Sequence, residues 1–372
     1  MPYCNKTLGL ALSGGGFRAT LFGLGSLWRL NELGLLQSLD RITGVSGGSI
    51  LAGFLGYKWR FLRFSGGVAE NFSEQIVIPL RRFCSQTIDI PAGIGGLLTP
   101  FRSTGDFLTS RYDKDLFNKA TLRDLPIGPG GAIPPTGPDF VIYATNMQTG
   151  RSFRFTQEYI ADYYLGLNTK TVVSLAKAVA ASSAFPPVFS PIKLQTNPDD
   201  WSGGALQHDD LADLQRKLVL TDGGVYDNMG LEALIGKVNI VLVSDAGAPF
   251  EVDISPGGNY MSQLGRVRDI LIDQTRALRK RWFMTELDAK RQEGAYWGIG
   301  TRIGDYEISS LALDSPVTES LQSVRTRLKK LSPEEQGRLI NWGYALADTA
   351  IRRYVMPTAQ AATHWPVPEA SL

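Results

Sequence analysis

Ser46 lies in Gly44-Val45-Ser46-Gly47-Gly48, which fits the pattern G-x-S-x-G. In that pattern a strand turns sharply into a helix and holds a serine hydroxyl exposed at the bend. The small residues Gly44, Gly47 and Gly48 are what make such a bend possible. Upstream, Ser13-Gly14-Gly15-Gly16-Phe17-Arg18 follows a short apolar strand and opens a helix. The amides of Gly14, Gly15 and Gly16 can therefore converge on a developing negative charge. A hydroxyl nucleophile and a separate nest of donors are the two parts that acyl transfer needs most.

A serine hydroxyl is a weak nucleophile and needs a base within hydrogen-bond reach. The chain has only two histidines. His208 lies in the polar stretch Gln207-His208-Asp209-Asp210, away from any strand end. His364 sits in a proline-interrupted tail of the kind that is usually poorly ordered, although the order Ser46, Asp222, His364 matches one known triad order. Asp222 is the better candidate. It ends an apolar strand and starts Asp222-Gly223-Gly224, a third glycine turn. An aspartate with an ordinary pKa near ~3.9 is ionised at neutral pH without tuning. On its own, Asp-Gly-Gly would read as a plain turn; beside the other two motifs it reads as the base.

These residues need strand ends to hold them. Short apolar strands are expected over 6–12, 42–45, 217–221 and 239–245, with a strand pair over 140–145 and 151–155. Helices are expected over 17–33, 49–64 and 171–184. The alternation implies an α/β fold with a mainly parallel central sheet and helices on both faces. In such sheets ligands bind at the carboxyl ends of the strands, where both glycine motifs fall. Beyond Asp245, charged amphipathic helices are expected over 266–286 and 317–354, with a capping box at Ser332-Pro333-Glu334-Glu335. The organisation expected is one domain. It has a motif-bearing core over about 6–245, a helical elaboration over about 246–356 packed on the sheet, and a tail over 357–372.

With 372 residues and a net charge of +2, the chain can bury a large core and has no charge excess that would draw nucleic acid. Neither a secretion-signal pattern nor an apolar run of membrane-span length is present, and two cysteines suffice for neither a disulfide framework nor a metal site. The expectation is a cytoplasmic protein with peripheral membrane contact. No metal or cofactor is expected. The sequons at Asn5 and Asn71 carry little weight in that setting.

The blocks Gly14-Gly15-Gly16-Phe17-Arg18, Gly44-Val45-Ser46-Gly47-Gly48 and Asp222-Gly223-Gly224 together resemble the patatin-like phospholipases. The run Ala180–Pro191 is similar to a fourth block of that family. The resemblance covers roughly residues 6–245, and the combination is far more specific than any single motif. It implies a three-layer sandwich and a Ser46–Asp222 dyad without histidine, with the oxyanion hole at Gly14–Gly16. It implies a membrane or micellar lipid as substrate. Arg18 matches an arginine that related cytosolic phospholipases use to engage phosphate or to stabilise the site; a helix-start arginine paired to a surface acid is the plain alternative. The segment Val225-Tyr226-Asp227-Asn228 departs from the Asn-Asn-Pro type common in plant patatins.

Other features bear on lipid contact. Residues 57–64 interleave aromatics with cations, as suits a lipid interface, although buried rings with snorkelling cations fit equally. The apolar loop 94–101 is a candidate cover for an acyl groove, and the basic runs 276–281 and 325–330 are candidates for anionic lipid. Two rival classes remain. A dinucleotide-binding fold fails because Gly14-Gly15-Gly16-Phe17-Arg18-Ala19 lacks G-x-G-x-x-G spacing. A catalytically silent lipid-binding or regulatory protein on the same scaffold is countered by the intact Ser46 and Asp222.

Overall fold

Buried on both faces, a central parallel strand must be apolar throughout. Leu8–Leu12 (β1) meets that demand, being buried at every position. The computed structural model describes residues 6–89, 103–129, 134–247 and 249–372. The candidate acyl-groove loop at 94–101 and the Asn5 sequon lie outside the described residues.

Helix α1 (Gly16–Glu32) follows β1, and Arg41–Val45 (β2) leads into α2 (Gly47–Lys58). After α3 (Ile78–Cys84) and α4 (Thr104–Tyr112) comes the long strand β3 (Asp139–Asn146). The next strands are β4 (Arg151–Phe155), β5 (Ile160–Asp162) and β6 (Gly166–Asn168), then helix α5 (Leu175–Ser183). Strands β7 (Ile192–Gln195) and β8 (Trp201–Ser202) precede α6 (Leu211–Arg216) and β9 (Lys217–Asp222). The short α7 (Gly224–Asp227), β10 (Ile240–Asp245), α8 (Tyr260–Asp288) and β11 (Glu293–Gly298) follow. Helices α9 (Pro316–Ser320) and α10 (Pro333–Tyr354) complete the set.

The fold is α/β. Its sheet centre runs β11–β10–β1–β2–β3, with all four of these pairings parallel. Beyond β3 the sheet continues antiparallel through β4, the expected strand pair, and then through β5, β6 and β8, an extension the alternation of elements did not specify. The register along β3 then has a decisive consequence. One edge of β3 pairs with β4 over 142–146, so every other partner of those residues must use the opposite edge. On that edge β2 takes 139–143 in parallel and β9 takes 144–146 in antiparallel. The two strands therefore run head-on, and their carboxyl ends meet.

Two expectations for the C-terminal third are corrected. The helix over 317–354 is broken, because the carbonyls of Gln322, Val324 and Arg327 accept from Arg18 and from the Phe17 amide instead of from helix amides. A new helix, α10, starts at the Ser332 capping box. The tail is packed, not loose: Asn341 donates to the carbonyls of Val367 and Ala370, both buried.

Helix α10 presses on α1 at glycines, since a Cβ on Gly25 would lie 1.9 Å from the Ile340 carbonyl. Beside that contact, buried Arg29 donates to Asp348 at 2.8 Å. Helix α8 differs, with Phe283 its one buried residue. No helix among the described residues is long and apolar enough to cross a membrane. Removing one partner of a buried ion pair leaves the other charge stranded. Asp348 also pairs with Arg352, so Asp348→Ala removes the carboxylate that both arginines share and should lower unfolding free energy by about 3 kcal/mol in urea titration; a change below about 0.5 kcal/mol would mean the α1–α10 seam does not depend on this carboxylate.

Candidate active site

Ser46 occupies the bend between β2 and α2 with φ 50° and ψ −119°, a conformation that only glycine adopts freely. Its amide donates to Ser182 Oγ at 2.9 Å, and its carbonyl accepts from Ser49 Oγ at 2.6 Å and from the Ser49 amide. The bend closes because the next residue is Gly47, where a Cβ would lie 2.0 Å from the Gly16 carbonyl. The nucleophile turn and the glycine loop are thus in backbone contact.

Asp222, the last residue of β9, is buried at the head-on junction with β2. Its carbonyl accepts from Thr145 Oγ1 at 2.9 Å, and its Oδ1 accepts from the Gly224 amide at 2.7 Å. Burial, opposed by the Ser46 hydroxyl and the Gly224 amide, pushes its pKa up to about 7. The expectation of an ordinary, untuned carboxylate is therefore corrected. The Ser46 hydroxyl is a neighbour that favours the charged form of Asp222, while Asp222 Oδ2 is buried without a hydrogen-bond partner.

Asp245 shows that burial alone does not set the outcome. It is equally buried, but Arg276, the Gly247 amide and the Tyr296 hydroxyl outweigh desolvation and hold it at about 2. No cation is among the groups that shift Asp222.

The three glycine amides are not equivalent. Gly14 N–H donates to the Asn228 carbonyl at 2.9 Å, which corrects its expected place as a free oxyanion donor. Gly15 and Gly16, at φ 144° and 57°, stand at the cap and first residue of α1, where amides have no intrahelical acceptor. Both border the cavity with Ser46 and Asp222.

Arg18 makes neither a cavity contact nor a surface ion pair, which leaves support of the site as the expectation its bonds allow. It is buried, does not border the cavity, and pairs with no surface acid. Its Nη1 donates to the carbonyls of Gln322 and Val324, and Nε and Nη2 donate to that of Ala246. Burial, then the nearby Arg276, lower its pKa to about 10, so it stays cationic at neutral pH. It ties the glycine loop to the end of β10 and to the 322–324 segment.

The cavity above Ser46 has a volume of about 580 Å³. Phe185, Pro186, Val188 and Phe189 give it an apolar wall, and Arg266, Arg268, Asp269 and Asp273 on α8 give it a charged one. His208 and His364 are exposed, bonded only to near neighbours, and absent from the lining. No cluster of metal-ligating side chains occurs among the described residues. In the 57–64 stretch Trp59 is buried against Phe64 and Phe140, leaving Phe61 as its exposed ring. Four of the eight cations in the basic runs are paired with carboxylates: Arg276 with Asp245, Arg279 with Glu232, Arg325 with Glu335 and Arg327 with Asp89. Sequence reasoning missed Ser182 and Asn228 as supports of the loop backbones, although both lie in or beside segments already singled out.

Two measurements follow from this geometry. Because the charged form of Asp222 is disfavoured in the folded protein, its burden on stability is absent below the unfolded pKa, grows through about pH 7 and is full above it. Asp222→Asn should raise Tm at pH 8, with a gain that shrinks toward pH 5; a pH-independent change would contradict the raised pKa. Ser46→Gly should be more stable than Ser46→Ala by about 1 kcal/mol, since only glycine relieves the bend; equal stabilities would remove the strain.

Comparison with known proteins agrees with this architecture. The Candida albicans protein lysophospholipase 2 is 49% identical over 59 residues, spanning 14% of this chain and 10% of that protein. Lysophospholipase 1 of the same species is 42% identical over 64 residues, 15% of this chain and 11% of that protein. The matched segments thus span about a tenth of these relatives' length. The structure of human GIVD cytosolic phospholipase A2 with methyl γ-linolenyl fluorophosphonate superposes with TM-score 0.50 at 13% identity, covering 94% of this chain and 57% of that one. A family profile described as patatin-like phospholipase matches residues 10–235, more than half the chain. The chain belongs to the patatin-like phospholipase family.

Proposed function

We propose that this chain, acting as one domain, is a serine lipid acyl hydrolase that cleaves fatty-acyl esters of phospholipids or other glycerolipids. The observation that carries the reading is Ser46, on a strained bend, meeting the buried carboxylate of Asp222 beside the amides of Gly15 and Gly16. An apolar wall at Phe185–Phe189 suits an acyl chain.

In this mechanism Asp222 takes the proton of the Ser46 hydroxyl as Oγ bonds to the ester carbonyl carbon. The carbonyl oxygen becomes an oxyanion held by the Gly15 and Gly16 amides, each such donor being worth about 3 kcal/mol. Collapse breaks the bond to the leaving alcohol, which receives the proton from Asp222. Water then attacks the acyl-enzyme, giving its proton to Asp222; the fatty acid leaves and Ser46 recovers its hydrogen. A carboxylate tuned to about 7 suits both halves, since it can accept and return a proton near neutral pH.

With a chromogenic acyl ester, Ser46→Ala and Asp222→Asn should each lower kcat by roughly 10³-fold or more. His364→Ala should leave it unchanged. Equal hydrolysis by wild type and Ser46→Ala would end the enzymatic reading in favour of a silent lipid-binding protein. Wild-type kcat/KM should climb with pH through about 7 and level off above; a plateau reaching down to pH 5 would mean that an untuned carboxylate serves as base.

A further inference from the structure

The glycine loop is one donor short of its expected set. The Gly14 amide donates to the Asn228 carbonyl, which leaves the amides of Gly15 and Gly16 for a reacting oxygen. The side chain of the same Asn228 lies close by. A Cβ on Gly14 would stand 2.2 Å from Asn228 Oδ1 and 3.2 Å from Ser46 Cβ. A Cβ on Gly224 would stand 2.6 Å from that Oδ1 and 3.1 Å from Asp222 Oδ1. The carboxamide therefore fills space that side chains on Gly14 and Gly224 would take, between the nucleophile and the buried carboxylate. Two glycines from separate motifs make room for one polar group.

The bonding of that group is incomplete. Asn228 is half-buried and borders the cavity together with Ser46, Asp222, Gly15 and Gly16. Its Oδ1 faces Cα hydrogens of Gly14 and Gly224, which are weak donors. Its Nδ2 carries two N–H donors and has no acceptor among the described residues. A side chain placed here for packing alone would do better without unmet donors.

We propose that Asn228 is a further catalytic residue, whose carboxamide N–H donates to the oxyanion and completes the donor set with Gly15 and Gly16. The proposal rests on the acyl-hydrolase reading, since it assigns a role within that reaction. Once Ser46 Oγ has bonded to the ester carbon, the oxyanion stands three bonds from Ser46 Cβ, within the span of a carboxamide in this position. Asn228 neither gains nor loses a proton in the step. It donates a hydrogen bond as charge develops on the oxygen, while Asp222 takes the proton of the Ser46 hydroxyl. The backbone and the side chain of Asn228 then serve one purpose: the carbonyl holds the glycine loop, and the carboxamide takes the place of the Gly14 amide that this bond removes.

The test compares a dissolved short-chain ester with its thiono analogue, in which sulfur replaces the carbonyl oxygen. Sulfur is a weak hydrogen-bond acceptor, so a donor aimed at that atom assists the oxygen substrate far more. Asn228→Ala should lower kcat on the ester by roughly 100-fold, as for the loss of one oxyanion donor, with KM nearly unchanged. On the thionoester the loss should be less than about tenfold. Asn228→Asp keeps the shape of the side chain without its N–H groups and should do no better than Asn228→Ala. A variant that misplaced Ser46, or that was partly unfolded, would slow both substrates by the same factor. Equal losses on the two substrates, or an ester kcat equal to that of wild type, would overturn the proposal and leave the acyl-hydrolase reading standing. Wild type that cleaves neither substrate would defeat the acyl-hydrolase reading, and this role for Asn228 with it.

Discussion

Everything at the site depends on the edge of β3 that two strands share. Strand β2 pairs along it in one direction and β9 in the other, and they stop where they meet. Ser46 follows the last residue of β2, and Asp222 is the last residue of β9. Backbone hydrogen bonding in the middle of a sheet with eleven strands among the described residues thus sets the approach of Ser46 and Asp222. A one-residue slip of β9 would turn the Asp222 side chain to the other face of the sheet.

The same placement sets the electrostatics. A carboxylate at the centre of a sheet loses its water, and only a nearby cation or several donors could restore an ordinary pKa. Asp245, one strand over from β1, has Arg276, a tyrosine hydroxyl and an amide, and is held low. Asp222 has one amide and the Ser46 hydroxyl, and sits near 7. Asp245 and Asp222 are thus buried aspartates with opposite tuning, the first tied to α8 through Arg276 and the second the one the proposed mechanism uses as base. Arg18 fits the same division, since its charge is used on backbone carbonyls beneath the glycine loop and keeps the Gly15 and Gly16 amides in place.

Much of the site was legible in the sequence because its motifs encode backbone demands. Gly47 must be glycine where another backbone passes within contact of its Cα, and a G-x-S-x-G run announces that need. The parallel centre was readable from short apolar strands alternating with helices. Properties set by long-range neighbours were not readable. Nothing local reveals that Gly14 spends its amide on Asn228, that Asp222 loses its solvent, or that β9 arrives antiparallel. The segment 321–332 looked helical from its composition, but its carbonyls serve Arg18 and Phe17 across the molecule. The tail looked loose because the Asn341 side chain that secures it lies 26 residues before Val367.

The claim at the centre is that Ser46 is a nucleophile activated by Asp222. Covalent labelling with a fatty-acyl fluorophosphonate, read by peptide mass spectrometry, addresses it most directly. One adduct should form on Ser46, at a rate that climbs with pH through about 7 in wild type and is lost in Asp222→Asn. An adduct on another residue, or labelling of Ser46 undiminished by Asp222→Asn, would contradict it.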